Sequence, residues 1–367
     1  MKKKNILIIG NYGAGNFGDE LVLKNILGML KDEKISVISH DFYPFPSGFR
    51  SFIVSIFTGR IIKTLATYMR ADTVIFGGGT LFTSEEPITI WIWSMQILPA
   101  IFLHKKIICF GQGIGEIHGK FSKWIIKKIF SRFAHIILRD RESEKILRSL
   151  GVKKEIKIAP DPVFAMKLEK AKGGELLIVL RDWKFLQKDF AKKMAEFLEW
   201  VYLEYGLKAN FLIFDRADKS LSEKTASEIV SYKAQMAEID FDNFKEIFSR
   251  GSLALNFRLH ASIICFMSGI PCIGFEYETK VKNLFESFGV GKYAIGLNDF
   301  ELLRMKFDAL YQERDLISSE LRRESQKMLN NVAFPIKYGQ VRSDSSKRKS
   351  VALYYKSFCQ PRKGQII

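Results

Sequence analysis

The residues of this chain best suited to chemistry follow two short apolar runs in its second half. Arg258 and His260 come directly after the apolar run 253–257, and Lys280 lies just beyond a second such run. In an extended segment residues i and i+2 point to the same side, so Arg258 and His260 can face one ligand. The apolar run 261–267 predicts a helix, and the free N–H groups at a helix start attract anions. The pattern indicates an anion site with a proton donor beside it.

Each of these residues also has an ordinary structural interpretation. Arg258 could pair with a buried carboxylate, and His260 could be a half-buried histidine whose hydrogen bonds are satisfied. Arg181 follows the apolar run 176–180, where it could contact the same ligand or form a local ion pair with Asp182. The residues alone leave these alternatives open.

The first half of the chain contains glycine-rich segments after predicted strands. The segment 13–20 reads GAGNFGDE, which allows a ligand to approach the backbone closely, and Asp19 or Glu20 could accept a proton from an attacking hydroxyl. Alternatively, Asp19 only caps the helix that follows. The glycines 77–79 belong to a second such loop, which could contact a sugar or a diphosphate or could form only a tight turn. Arg139, at the end of another predicted strand, could face the same cleft or pair with Asp140.

Short β-branched runs alternate with helical segments along the chain, which is typical of parallel sheets covered by helices. This alternation restarts after the polar stretch 167–174, and 367 residues exceed the usual size of a single core. We therefore predict two doubly wound α/β domains, residues 1–167 and 168–330, followed by a basic tail, 331–367, that could pack back on the first domain. Ligands of such sheets bind beyond the carboxyl ends of the strands, where the candidate residues fall.

The charge balance predicts an anionic partner. The chain has 57 Lys and Arg against 40 Asp and Glu, a formal net charge of +17, which suits a phosphate-bearing substrate, an acidic lipid surface or nucleic acid. Nucleic acid is the least favoured, because the lysines are scattered without an aromatic-interleaved recognition motif. The four cysteines show no C-x-x-C spacing, so we expect a reducing cytosol and no metal site or cofactor. The apolar run 88–103 is shorter than the roughly 20 residues of a membrane-spanning helix.

Taken in order, the motifs resemble the polysaccharide pyruvyl transferase family. The resemblance runs from about residue 5 to residue 290, and it departs from the family pattern at Glu116, where proline commonly follows the Gly-x-Gly turn. The tail has no matching segment. The matching segments are GNFGDE (15–20), GGG (77–79), QGIG (112–115), RDxxS (139–143), DP (161–162), RLHA (258–261), GIP (269–271) and YETKV (277–281).

The resemblance implies a GT-B-like fold and transfer of a pyruvyl group from phosphoenolpyruvate to a sugar of a polysaccharide precursor, as a ketal. It implies that the donor site lies in the second domain and the glycan or lipid-linked glycan acceptor against the first. The catalytic candidates are His260, Lys280 and Asp19, with His260 or Lys280 as the general acid. The donor-binding candidates are Arg181, Arg258, His260 and Lys280. The acceptor-binding candidates are Gly15, Asn16, Asp19, Glu20, Gly78, Gly79 and Arg139.

Two further expectations concern partners. A GT-B glycosyltransferase that uses a nucleotide sugar is the main alternative, and Glu276 or Glu278 could then bind the ribose hydroxyls. The helical segment 121–133 carries Trp124, Ile125, Ile129 and Phe133 on one predicted side and lysines elsewhere, and the tail carries eight basic residues against one acid. These surfaces predict weak, electrostatic contact with the anionic inner face of a membrane.

Overall fold

The computed structural model describes residues 3–38, 58–84 and 87–332. Almost all of the basic tail therefore lies outside the described residues, and so does its predicted return to the first domain.

The first half forms a parallel sheet of six strands, ordered β2-β1-β3-β4-β5-β6. Its inner strands are continuous apolar runs because helices cover both faces of the sheet. The strands are β1 (Asn5–Ile9), β2 (Lys34–Ile38), β3 (Thr73–Gly77), β4 (Lys106–Gln112), β5 (His135–Leu138) and β6 (Ile156–Ile158). The helices are α1 (Phe17–Met29), α2 (Arg60–Arg70), α3 (Pro87–Phe102), α4 (Lys120–Phe130) and α5 (Arg141–Ser149).

The second half repeats the arrangement with a sheet ordered β12-β11-β10-β7-β8-β9, again parallel throughout. The strands are β7 (Glu175–Val179), β8 (Ala209–Ile213), β9 (Gln235–Glu238), β10 (Gly251–Asn256), β11 (Cys272–Phe275) and β12 (Ala294–Ile295). The helices are α6 (Phe190–Tyr205), α7 (Lys219–Ser227), α8 (Phe244–Ser249), α9 (Leu259–Ser268), α10 (Thr279–Ser287) and α11 (Phe300–Asn331). Two doubly wound parallel sheets confirm the predicted fold class.

The segment between the sheets is anchored to the second half. Ala171 and Lys172 donate backbone hydrogen bonds to the carbonyls of Ser268 and Ser249. Gly173 lies so close to Arg250 that a Cβ there would be 1.8 Å from its carbonyl oxygen. The domain division that we predicted at residue 167 falls in this connection between β6 and β7.

The two halves meet through α1. The ring of Phe17 packs 5.2–5.5 Å from the rings of Phe214, Phe241 and Phe244, and its backbone N–H donates to the carbonyl of Phe214 at 2.9 Å. Helix α1 therefore shares an apolar cluster with the second half, whereas α2, α3, α4 and α5 form a separate cluster on the other face of the first sheet.

The predicted helix 121–133 needs a correction. Helix α4 ends at Phe130, and Trp124 is 54% exposed while Ile129 and Phe133 are buried. Residues 124 and 129 are five positions apart, so about 140° separates them around a helix with 3.6 residues per turn. None of the helices formed by the described residues is long and apolar enough to cross a membrane.

Candidate functional site

His260 lies at the junction of the two halves. It occupies the first turn of α9, which directly follows the buried strand β10. Its side chain contacts the first half of the chain. Its Nε2 is 3.6 Å from Oδ2 of Asp161. Its ring lies against Gly18, where a Cβ would be only 2.2 Å from Nδ1. The two ring nitrogens therefore face different groups, a buried carboxylate and the glycine-rich loop.

Asp161 is the charged partner of this histidine. Its side chain is buried, and Oδ1 accepts a hydrogen bond from the Val163 N–H at 3.0 Å, which caps the short 3-10 helix Pro162–Ala165. Among the described residues neither Oδ2 of Asp161 nor Nε2 of His260 has a hydrogen-bond partner. Burial alone would raise the pKa of Asp161, but the attraction of His260 and of Arg139 outweighs it and the pKa is lowered. Asp161 is thus a buried anion that can orient His260.

Arg139 connects this pair to the glycine loops of the first half. Its guanidinium donates to Oγ1 of Thr80 at 2.6 Å, and Nη1 lies 3.9 Å from Oδ2 of Asp161. It packs directly over Gly113, where a Cβ would be 2.6 Å from Nη2. Asp140, 3.4 Å from Nε, also caps α5. The ion pair that we left open therefore exists, and it belongs to a larger cluster.

A second cluster surrounds Glu278 and Lys280 at the start of α10. The Nζ of Lys280 is 2.5 Å from Oε2 of Glu278, and Nη1 of Arg181 is 3.9 Å from Oε1. Burial would lower the pKa of Lys280, but Tyr277 and Glu278 beside it outweigh burial and the pKa is raised. For Glu278, burial is outweighed by Lys280 and Arg181, so its pKa is lowered. Both groups are therefore charged at neutral pH.

Tyr277 contacts two candidates of the second half, Arg181 and Lys280. The guanidinium carbon of Arg181 lies 4.5 Å from the rings of both Tyr277 and Trp183, and Nζ of Lys280 lies 5.0 Å from the Tyr277 ring. Such contacts stabilise and orient a cation. Tyr277 also acts electrostatically on Arg258. Sequence reasoning included Tyr277 only within the YETKV motif.

Arg258 contacts carboxylates rather than the other candidates. Nε donates to Oδ2 of Asp218 at 2.8 Å, Nη2 bonds to the same oxygen, and Nη2 lies 3.2 Å from Oδ2 of Asp215. The structure thus shows the buried carboxylate pair that we considered. The i, i+2 argument does not apply, because α9 begins at Leu259 and turns His260 away from the direction of Arg258.

The acceptor-side candidates surround the start of α1. Asn16 caps this helix by accepting from the Gly18 N–H at 2.9 Å, so the cap is Asn16 and not Asp19. Asp19 is buried and accepts from Nδ2 of Asn11 at 2.8 Å. Glu20 accepts from the Gly13 N–H, and burial raises its pKa.

The glycine triplet lies against the same helix. Gly79 has a φ of 73°, and a Cβ there would be 3.3 Å from Oδ1 of Asp19. Gly78 has a φ of 75°, and a Cβ there would strike Val22 at 2.5 Å. Gly15, with a φ of 88°, is exposed. Asp19 therefore lies between two glycine loops, where a ligand could approach both backbones.

A cavity of about 590 Å³ opens between the halves and contains residues of both clusters. Arg139 and Asp161 line it from the first half, and Lys280, Leu284 and Ser287 of α10 line it from the second. The other donor candidates, Arg181, Arg258 and His260, are not among its lining residues. Its volume is within the range of small-molecule sites. In the described part of the chain no group of three or more His, Cys, Asp or Glu side chains is arranged to hold a metal ion.

The family comparison agrees with the sequence motifs. A family model described as "Polysaccharide pyruvyl transferase" matches residues 16–279, well over half of the chain. A search of curated proteins gives no significant match.

Solved structures with a similar fold are distant in sequence. A putative UDP-N-acetylglucosamine 2-epimerase from Listeria monocytogenes aligns with a TM-score of 0.58 and 11% identity, covering 89% of this chain and 95% of that chain. The UDP-GlcNAc 2-epimerase from Neisseria meningitidis bound to UDP-GlcNAc aligns with a TM-score of 0.56 and 10% identity, covering 89% of this chain and 98% of that chain. A glycosyltransferase from Rickettsia africae aligns with a TM-score of 0.54 and 11% identity, covering 90% of this chain and 94% of that chain. These likenesses show a GT-B-like fold.

Proposed function

We propose that this chain, which belongs to the polysaccharide pyruvyl transferase family, transfers the pyruvyl group of phosphoenolpyruvate to a sugar of a cell-surface polysaccharide precursor. The observation that carries the proposal is the interdomain cavity, which Arg139 and Asp161 line from the first half and Lys280 from the second. Nε2 of His260 lies 3.6 Å from Oδ2 of Asp161, so Asp161 connects the histidine to this cavity. Phosphoenolpyruvate has a carboxylate and a phosphate on three carbons, and such a compact anion requires several fixed cationic donors.

The charge of Lys280 supports different roles for Lys280 and His260 in the reaction. A lysine whose pKa is raised stays protonated, so Lys280 suits a permanent clamp for phosphate or carboxylate better than a proton donor. Arg181, whose guanidinium carbon lies 4.5 Å from two aromatic rings, would supply a planar pair of donors for the second anionic group. An imidazole can both give up and take back a proton, which suits a group that acts as the acid in each turnover.

In the proposed reaction His260 protonates the methylene carbon of the donor from Nδ1, while Asp161 holds Nε2. Protonation makes C2 electrophilic, and the oxygen of a sugar hydroxyl forms a bond to it. The C2–O bond to phosphate then breaks with its electron pair, and a second hydroxyl of the same sugar closes the ketal ring. One hydroxyl proton restores His260 and the other leaves with phosphate, so the atoms and charges balance.

The acceptor sugar would approach from the first half. Asp19 lies between the two glycine loops and on the same helix as Gly18, which touches the His260 ring. It could accept the proton of the attacking hydroxyl. Arg139 would contact donor or acceptor at the boundary between the two sides. We propose a cytoplasmic enzyme that meets a glycan or lipid-linked glycan at the inner face of the membrane.

Ligand binding separates this proposal from the nucleotide-sugar alternative. Glu278, a candidate for ribose binding, is held by Lys280 and Arg181, which disfavours that role. Calorimetry of the full chain with phosphoenolpyruvate and with UDP-GlcNAc should give binding only for phosphoenolpyruvate. Binding of UDP-GlcNAc without binding of phosphoenolpyruvate would replace our proposal with the glycosyltransferase.

A further inference from the structure

One layer of the first half carries an unusual surface. Helices α2, α3 and α4 cover the face of the first sheet opposite α1, and their inner residues share one apolar cluster. The layer is continuous. Tyr68 of α2 donates to the carbonyl of Gln96 in α3, and the ring of Trp91 in α3 stacks on Phe121 of α4 at 5.0 Å. Lys105 also donates to the carbonyl of Met69 at 2.7 Å.

The outer side of this layer is strongly apolar. Of the sixteen large hydrophobic side chains that are exposed among the described residues, nine lie between residues 62 and 124. Ile62 and Met69 of α2 and Phe102 of α3 are each at least 65% exposed. Single exposed hydrophobic residues are ordinary, but a concentration on three adjacent helices marks an interaction surface.

The three helices of this layer carry only positive charge, although the exposed Glu116 precedes α4. The sequences of α2, α3 and α4 contain seven Lys and Arg residues and no Asp or Glu. Lys120, Lys123, Lys127 and Lys128 of α4 are exposed, and lysines can keep their charge in water beside a buried apolar stem. Apolar and cationic side chains without acids complement an anionic lipid surface.

Exposed aromatic rings lie at the end of the layer where α3 and α4 begin. Trp91, Phe121 and Trp124 stack in a row, with ring centroids 5.0 and 5.8 Å apart, and each is roughly half exposed. They lie in the first two turns of α3 and α4. A helix that follows a parallel strand starts at the carboxyl edge of the sheet, which is also the edge where ligands bind. Tryptophan favours the boundary between lipid and water.

We infer that the α2–α4 face docks on an anionic membrane, with Trp91, Phe121 and Trp124 at the level of the lipid headgroups. This orientation places the acceptor side of the cleft beside the bilayer, where a lipid-borne glycan would be presented. The inference extends the membrane contact proposed above from weak electrostatic attraction to a defined docking face, and the docking itself does not depend on the reaction.

The test is cosedimentation of the full chain with phosphatidylglycerol vesicles and with phosphatidylcholine vesicles. The chain should bind phosphatidylglycerol at low salt and keep part of this binding at high salt, because apolar insertion is not screened. The double variant Phe121→Ser/Trp124→Ser should bind at least about tenfold more weakly at both salt concentrations. Leu203→Ser/Leu316→Ser is the matched control, since both leucines are over 60% exposed on the second half, and it should bind like the natural chain.

Two charge-reversal variants complete the test. Lys120→Glu/Lys123→Glu should weaken binding by about tenfold or more at low salt, whereas Lys188→Glu/Lys192→Glu, exposed on the second half, should change it little. The inference fails if the natural chain does not bind phosphatidylglycerol vesicles. It also fails if each double variant on the α2–α4 face binds these vesicles as well as its control on the second half. It fails equally if Phe121→Ser/Trp124→Ser dissociates a dimer of the chain and leaves vesicle binding unchanged. Phosphoenolpyruvate affinity should be unchanged in every variant, so a failed donor proposal would appear separately.

Discussion

His260 of the second half contacts Asp161 of the first half. Both groups are buried, and Asp161 carries charge because its neighbours outweigh the effect of burial. A carboxylate that faces Nε2 fixes the orientation of the ring and leaves Nδ1 on the side of the glycine loop. The proton transfer that we propose therefore depends on this pair.

Replacing His260 separates chemistry from binding. His260→Gln keeps much of the shape of the side chain but carries no titratable proton, so we expect turnover to fall by about 10²–10⁴-fold while phosphoenolpyruvate affinity changes only a few-fold. Calorimetry and phosphate release measure the two effects. If donor binding is lost while the turnover of bound donor survives, His260 is a phosphate ligand and Lys280 becomes the candidate acid.

Arg258 calls for a different experiment, since it is held by Asp218 and Asp215. Arg258→Ala leaves a buried carboxylate without its partner, and we expect the free energy of unfolding to fall by about 3–5 kcal/mol. Adding Asp218→Asn removes the unpaired charge and should recover part of that stability. If Arg258 also binds the donor, phosphoenolpyruvate affinity stays low in the double variant. Recovery of affinity together with stability would show a purely structural role.

At the scale of elements, the site consists of loops and helix starts at the carboxyl edges of two sheets. The start of α1 is the most constrained of them, because Gly18 touches the His260 ring and Asn16 caps the helix. A side chain at position 18 would displace the histidine without disturbing the sheet.

Gly18→Ala therefore tests the alignment of the pair. The new Cβ would lie 2.2 Å from Nδ1, so the ring must move, and we expect turnover to fall at least about tenfold. Gly28→Ala in the same helix has no heavy atom within 4 Å of its Cβ. This control should keep full turnover and gain about 0.5–1 kcal/mol of stability from the helix propensity of alanine. Equal turnover in the two variants would show that the His260 ring position does not matter.

Sequence reasoning worked where local patterns decide the structure. The apolar runs predicted β11 at its observed bounds, and predicted β10 to within about two residues, because a strand buried on both faces must be apolar throughout. The GT-B-like fold followed from the order of the motifs and is confirmed.

The partners of the site residues could not be predicted in the same way. Arg258 and Asp218 are 40 residues apart, and Asp161 meets His260 across nearly 100 residues. Such pairs depend on how loops from different strands pack at one edge. Asp161 belonged to a quoted motif, but nothing in its neighbouring residues indicates a contact with His260. Trp124 was grouped with Ile129 and Phe133 on one side of a helix, although about 140° separates residues 124 and 129 and the helix ends at Phe130.

At the scale of the whole molecule, two sheets face each other across a cavity whose cations come from both halves. The excess of positive charge is thus used twice in our account, inside the cleft for a small anion and on the α2–α4 face for a lipid surface. Both uses follow from the same composition, which predicted an anionic partner without identifying it.

The most direct test of the central claim is a crystal structure of the chain with phosphoenolpyruvate. We predict that the donor binds beside Lys280 between the two halves, with its phosphate or carboxylate within hydrogen-bond distance of at least two of Arg181, Arg258, His260 and Lys280. Its methylene carbon should lie beside the His260 ring. Phosphoenolpyruvate bound elsewhere, or bound in the cavity without contact to these side chains, would contradict the assignment of the donor site.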